Sequence, residues 1–120
     1  MTRYRTVLWS MLVVGALSAG MGGPAHAGSD EALRGAVTRL GELNGTALAC
    51  GQGALVARLR EIMVNTAPKQ REIGEYFEIA TNETFLSFGQ SGRECPDGKA
   101  LAMRIDAARE HLGAVVGTAP

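Results

Sequence analysis

The sequence predicts an all-α fold, a small antiparallel bundle of three to four helices stapled by one disulfide. Three observations carry that expectation. Apolar residues recur at three- and four-residue spacing in one segment after another. No segment shows the period-two alternation of β-branched residues that a half-buried strand needs. The two cysteines, Cys50 and Cys95, form an even pair in a short chain that carries an export signal.

The export signal is the amino terminus. "MTRYR" places Arg3 and Arg5 ahead of the apolar run "TVLWSMLVVGALSAGMGG", which ends in "PAHAG". A basic segment, an apolar segment and Ala25-His26-Ala27 as a small-residue processing site make a secretory signal peptide over residues 1–27, cut between Ala27 and Gly28. A permanent anchor needs about 20 consecutive apolar residues, and this run is interrupted by Ser10, Gly15 and Ser18. The arginines are not adjacent as in a twin-arginine signal. The expected location is periplasmic or secreted, with residues 28–120 forming a single helical domain and no permanent membrane span after processing.

Charge narrows the partners. The chain has 12 Lys and Arg against 12 Asp and Glu; losing Arg3 and Arg5 with the leader leaves ten against twelve, a slightly acidic domain. No basic patch is denser than Arg58 and Arg60, which argues against nucleic acid, whose binding rests on clustered phosphate-neutralising cations. A domain this short buries a modest core, so a covalent cross-link matters to it.

The first helix is expected over "SDEALRGAVTRLGELNGTALA". Leu33, Ala36, Val37, Leu40, Leu43 and Ala47 fall at helical spacing, Ser29 is placed to cap, and Asp30 and Glu31 suit the positive end of the helix dipole. Gly35, Gly41, Asn44 and Gly45 weaken it, because each glycine costs up to about 1 kcal/mol in a helix interior, and a kink or break is expected near Asn44. After Gly51-Gln52-Gly53, "ALVARLREIMVNTA" repeats the pattern through Leu55, Leu59, Ile62 and Met63. Pro68 fits the opening turn of a third helix, "KQREIGEYFEIATNETFLSFG", whose central line is Ile73, Phe77, Ala80, Thr84 and Phe88. Tyr76, Ile79 and Phe85 broaden that face, and the segment holds every aromatic residue beyond the leader. A loop rich in Gly, Ser, Pro and Asp runs from Gly89 to Gly98. Pro96 then opens a fourth helix along Leu101, Ile105, Ala108, Leu112 and Val115.

The stretch "ALACGQGAL" raises the chemistry of Cys50. A structural zinc site wants four Cys or His ligands, and beyond the leader there are two cysteines and one histidine, His111. Neither C-x-x-C-H for covalent haem nor C-x-x-C for a redox pair occurs. A cysteine nucleophile would need His111 as its base, with no supporting motif. The expected role of Cys50 and Cys95 is a disulfide closing a loop of roughly 45 residues, for which chain entropy gives on the order of 4 kcal/mol.

No G-x-S-x-G, phosphate-binding glycine loop or H-E-x-x-H is present. Glu72, Glu75, Glu78 and Glu83 invite comparison with carboxylate-metal bundles, yet no histidine follows a glutamate at the required spacing, and a solvated face explains them. No metal or cofactor is expected and no reaction class is assigned. The expectation is a small exported accessory or binding protein, its partner a protein client or a small apolar ligand, with Tyr76 and Phe85 as the partner-facing residues and Ile73 and Phe77 in the core. The alternative is a conditional periplasmic stress chaperone: in one-disulfide architecture the chain resembles the small acid-stress chaperones, and twelve carboxylates give low pH a lever. A metal or redox carrier ranks below both.

Overall fold

The computed structural model describes residues 25–118, and side chains from Asp30 onward. Four helices follow one another: α1 (Ala25–Ala49), α2 (Gly53–Thr66), α3 (Arg71–Ser91) and α4 (Gly98–Thr118), with no strand among the described residues. Short connections force consecutive helices to turn back on one another, and the up-down-up-down path that results makes α1 and α3 parallel. Their register shows it: Gly41 faces Phe77 and Ala80, and one turn on Gly45 faces Thr81 and Thr84.

The expected stripes meet in one core. Ala36, Val37, Leu40, Leu43 and Ala47 of α1, Val56, Leu59 and Ile62 of α2, and Leu101, Ile105, Ala108 and Leu112 of α4 are all buried. Val56, which the α2 pattern did not single out, belongs with them. From α3 only Ile73 is fully part of this cluster, with Tyr76 and Phe77 packed at its edge. The central core is therefore a three-helix core of α1, α2 and α4. Across it, Arg58 of α2 is ion-paired with Asp106 of α4 at the rim.

Helix α3 docks on a different side of α1. No Cα of α3 comes within 8 Å of one in α2 or α4, whereas contact with α1 is the most extensive between any two helices. The approach is close because α1 presents glycines there. A methyl group built on Gly41 would lie 2.5 Å from the Phe77 carbonyl oxygen and 2.7 Å from Ala80 Cβ, and one on Gly45 would lie 2.5 Å from the Thr81 carbonyl oxygen. Between the two glycines, buried Asn44 donates from Nδ2 to Thr81 Oγ1 at 3.2 Å, and the Thr81 hydroxyl donates to the Phe77 carbonyl at 2.7 Å. Helix α1 therefore runs unbroken through Asn44, contrary to the expected kink. Residues that weaken an isolated helix are here the ones that let a second helix touch it.

Three boundaries differ from expectation. Helix α1 reaches back to Ala25, so Ser29 sits inside it and does not cap it. Pro68 precedes α3, which starts at Arg71 after Gln70; the Gln70 N–H donates back to the Pro68 carbonyl. Helix α4 starts two residues after Pro96 and is capped by Asp97, whose Oδ1 accepts from the Ala100 N–H at 2.9 Å. A side-chain acceptor for an orphan backbone donor decides this start, where a ring with no donor could only permit it.

Candidate functional site

The stretch around Cys50 ends a helix and anchors a cross-link. The Gln52 N–H bonds the Ala47 carbonyl at 2.8 Å and the Gly51 N–H bonds the Leu48 carbonyl at 3.2 Å. Together these form a Schellman cap, which places its penultimate residue in the left-handed region. That residue is Gly51, at φ 70°. Cys50 is thereby held at the α1–α2 turn, where Cys95 of the α3–α4 loop meets it with an S–S distance of 2.11 Å and a Cα–Cα distance of 5.7 Å. Both thiols are consumed, as expected, and no described cysteine is free.

The bond ties together the end of the bundle where α1 and α3 finish. Gly92, at φ 66°, turns the chain out of α3, and Arg93 folds back so that its guanidinium lies 4.5 Å from the centre of the Phe88 ring. Next to the disulfide is a hollow of 480 Å³ whose walls include Ala49, Phe85, Leu86, Phe88, Arg93 and Cys95. Phe88 is buried there, while Phe85 and Leu86 are 46% and 59% exposed.

The two sequence-predicted binding residues are not brought together. Nine residues of helix separate Tyr76 from Phe85, about 13 Å along the axis at 1.5 Å per residue, and they line different hollows. Tyr76 is half-buried, packed against the core edge with the Arg34 guanidinium 5.3 Å from its ring centre. Phe77, expected in the core, is only half-buried. The reason is the single-sided docking of α3: its buried strip is narrow, and the residues that fill it at the contact are Ala80, Thr81 and Phe88.

What the sequence pattern missed is Leu86. It follows Ile79 by seven residues and Asn82 by four, so the three share one row on the side of α3 away from α1, with Ile79 55% exposed. A row of i, i+3, i+7 spacing could have revealed it, but the stronger line through Ile73 and Phe88 masked it. Glu72, Glu75, Glu78 and Glu83 are exposed around this row, and Arg71 lies 3.9 Å from Glu75. His111 is exposed on α4. Among the described residues no three of His, Cys, Asp and Glu are grouped to hold a metal ion, and no helix is long and apolar enough to cross a membrane. The expected leader lies outside the described residues as far as residue 24, and the expected cut between Ala27 and Gly28 falls in the first turn of α1. No protein-family model, curated protein or solved structure matches the chain.

Proposed function

We propose that the mature chain is an exported helical accessory protein that acts by binding, with the outward side of α3 around Phe85 and Leu86 as its docking surface. One observation carries this reading: the close backbone contact of α3 is with α1, and Ile79 and Leu86 on its opposite side, with Phe85 on the flank beside Ala49, are exposed to solvent. In an ordinary bundle helix the side turned from the core carries polar residues, so large apolar side chains there call for another explanation. Phe85 remains from the pair expected in the sequence, and Leu86 replaces Tyr76 beside it.

The apolar contribution has a calculable ceiling. Full burial of a side chain of this kind contributes about 1.5–3 kcal/mol. Each of the three is already roughly half covered, so together they offer about 2–5 kcal/mol on that scale. Association costs about 4 kcal/mol or more in lost freedom. The patch alone therefore holds a partner weakly, and a physiological complex needs polar complementarity at its rim as well.

A photo-reactive amino acid placed at Leu86, with the same residue at Met103 as control, tests the reading in the native host. Met103 is 64% exposed on α4, so it samples solvent without lying on the proposed face. Adducts are expected from position 86 and not from 103. Equal yields, or none from 86, would remove the basis for a docking surface on α3.

A further inference from the structure

The outward face of α3 carries more than its apolar row. Four glutamates, Glu72, Glu75, Glu78 and Glu83, stand exposed around Ile79 and Leu86. Within the helix the one cation is Arg71, beside Glu75, while Arg34 and Arg39 of α1 and Arg60 of α2 line the hollows at the flanks that Glu72, Glu83 and Glu78 border, with no ion pair to them. Arg93, beyond the end of α3, is turned onto Phe88 and bonded to the Ser87 and Ser91 hydroxyls. The row between the carboxylates is helical in period and straight: Ile79 to Leu86 is two turns, about 10 Å. No Cα of α2 or α4 lies within 8 Å of one in α3, and α2 reaches its flank only through side chains such as Arg60, which lines a hollow with Phe77 and Glu78.

We propose that this face takes a basic amphipathic helix, with apolar side chains laid over Ile79, Phe85 and Leu86 and with Lys or Arg flanks set against Glu72, Glu75, Glu78 and Glu83. The proposal rests on the docking reading above and names the chemistry of its partner. A helix fits because the outward side of α3 is the position another bundle helix would fill, and helix-in-groove binding reads anchors at i, i+3 and i+7. Basic flanks fit because α3 itself carries four exposed carboxylates against one cation, and complementary charge raises association rate and selects partners. A second copy of this chain would bring two acidic faces together, and an acidic partner would add to the repulsion.

The test uses the oxidised mature chain and an 18-residue model peptide of leucine and lysine arranged with all leucines on one helical face. A second peptide has the same composition in scrambled order, and a third replaces lysine by glutamate. Fluorescence anisotropy is expected to show the patterned basic peptide binding at least about tenfold tighter than either control, with affinity falling as salt rises from about 50 to about 500 mM. The double variant Ile79→Ser, Leu86→Ser should lose the preference for the patterned peptide. Glu75→Gln with Glu78→Gln should weaken binding and flatten the salt dependence. All four positions are exposed, and an unchanged circular dichroism spectrum verifies that the variants fold. Equal binding of patterned and scrambled peptides, absence of binding, or tighter binding of the acidic peptide overturns the proposal. So does sedimentation showing a dimer that Leu86→Ser dissolves, since the occupant is then a second copy. If position 86 cross-links a partner while the basic peptide shows no preference, the docking surface stands and only the assignment of partner chemistry fails.

Discussion

Replacing Gly41 by alanine tests whether α3 is held by close backbone approach to α1. In an ordinary helix interior the change stabilises by about 0.5–1 kcal/mol, because alanine has less backbone freedom to lose. Here the new methyl group would sit 2.5 Å from the Phe77 carbonyl oxygen, 2.7 Å from Ala80 Cβ and 3.2 Å from the Phe77 carbonyl carbon. Two of these neighbours are backbone, so no side-chain rotation relieves the clash and α3 itself must move outward. Overpacking of this kind costs about 1–3 kcal/mol, and the movement strains the Asn44 to Thr81 hydrogen bond one turn away. The expected net effect is destabilisation by about 1–2 kcal/mol. Gly35 lies in the same helix with nothing within 4 Å of an added methyl group, so Gly35→Ala should stabilise by about 0.5–1 kcal/mol. Urea titration of the oxidised mature chain, followed by circular dichroism and analysed by linear extrapolation, resolves a difference of that size. Opposite signs are required. If Gly41→Ala is as stable as Gly35→Ala, α3 does not pack where the register places it, and the open outer face loses its explanation.

Reduction of the Cys50–Cys95 bond, which spans 45 residues, should lower stability by on the order of 4 kcal/mol; a urea midpoint that does not move on reduction would contradict the staple. Thiol titration of the denatured native protein should find no free thiol, and a non-reducing gel should show no covalent dimer. Leu101→Ala, at a fully buried site of the central core, should cost about 2–5 kcal/mol. Phe85→Ala, at a half-covered ring, should cost only about 1 kcal/mol, so a loss equal to that of Leu101→Ala would place Phe85 in the core and end its candidacy as a surface anchor. Intact mass after export should correspond to a chain beginning at Gly28, and a membrane-bound product that retains residues 1–27 would refute the leader.

The stripes of α1, α2 and α4 were legible because periodicity records which side of a helix avoids water. Leu40, Leu59, Leu101, Ile105 and Leu112 all lie where their spacing put them. Periodicity does not record what covers a stripe. The central line of α3 was visible while Leu86 was not, and Phe77 reaches only the edge of the core because the close contact of α3 is with α1. The disulfide was legible from an even cysteine pair in a short chain with an expected leader, and its position at the bundle end follows from alternating helix direction. Gly41, Asn44 and Gly45 were misread for a physical reason. Propensity counts a missing Cβ or a competing amide against the helix that contains it, while the atoms that use the vacated space, Phe77, Thr81 and Thr84, are nearly 40 residues away in the sequence. Two glycines four apart, on the side of α1 that its bulky stripe leaves free, are the available signal, since small residues at that spacing permit close helix contact.

This division of α1 into a bulky side and a small side links packing to the surface left for binding. Interaxial distance depends on the side chains at the contact, commonly 8–10 Å. With leucines at positions 41 and 45, α3 would stand off α1, and the gap between them would have to be filled by the largest apolar residues of α3. Glycine removes that demand. Ala80 and Thr81 suffice at the closest approach, so Phe85 and Leu86 are not needed to complete the interior and stand at the surface. Removing the outward side chains should thus alter partner binding without altering the fold, whereas a single methyl group on the inward side of α1 should alter both.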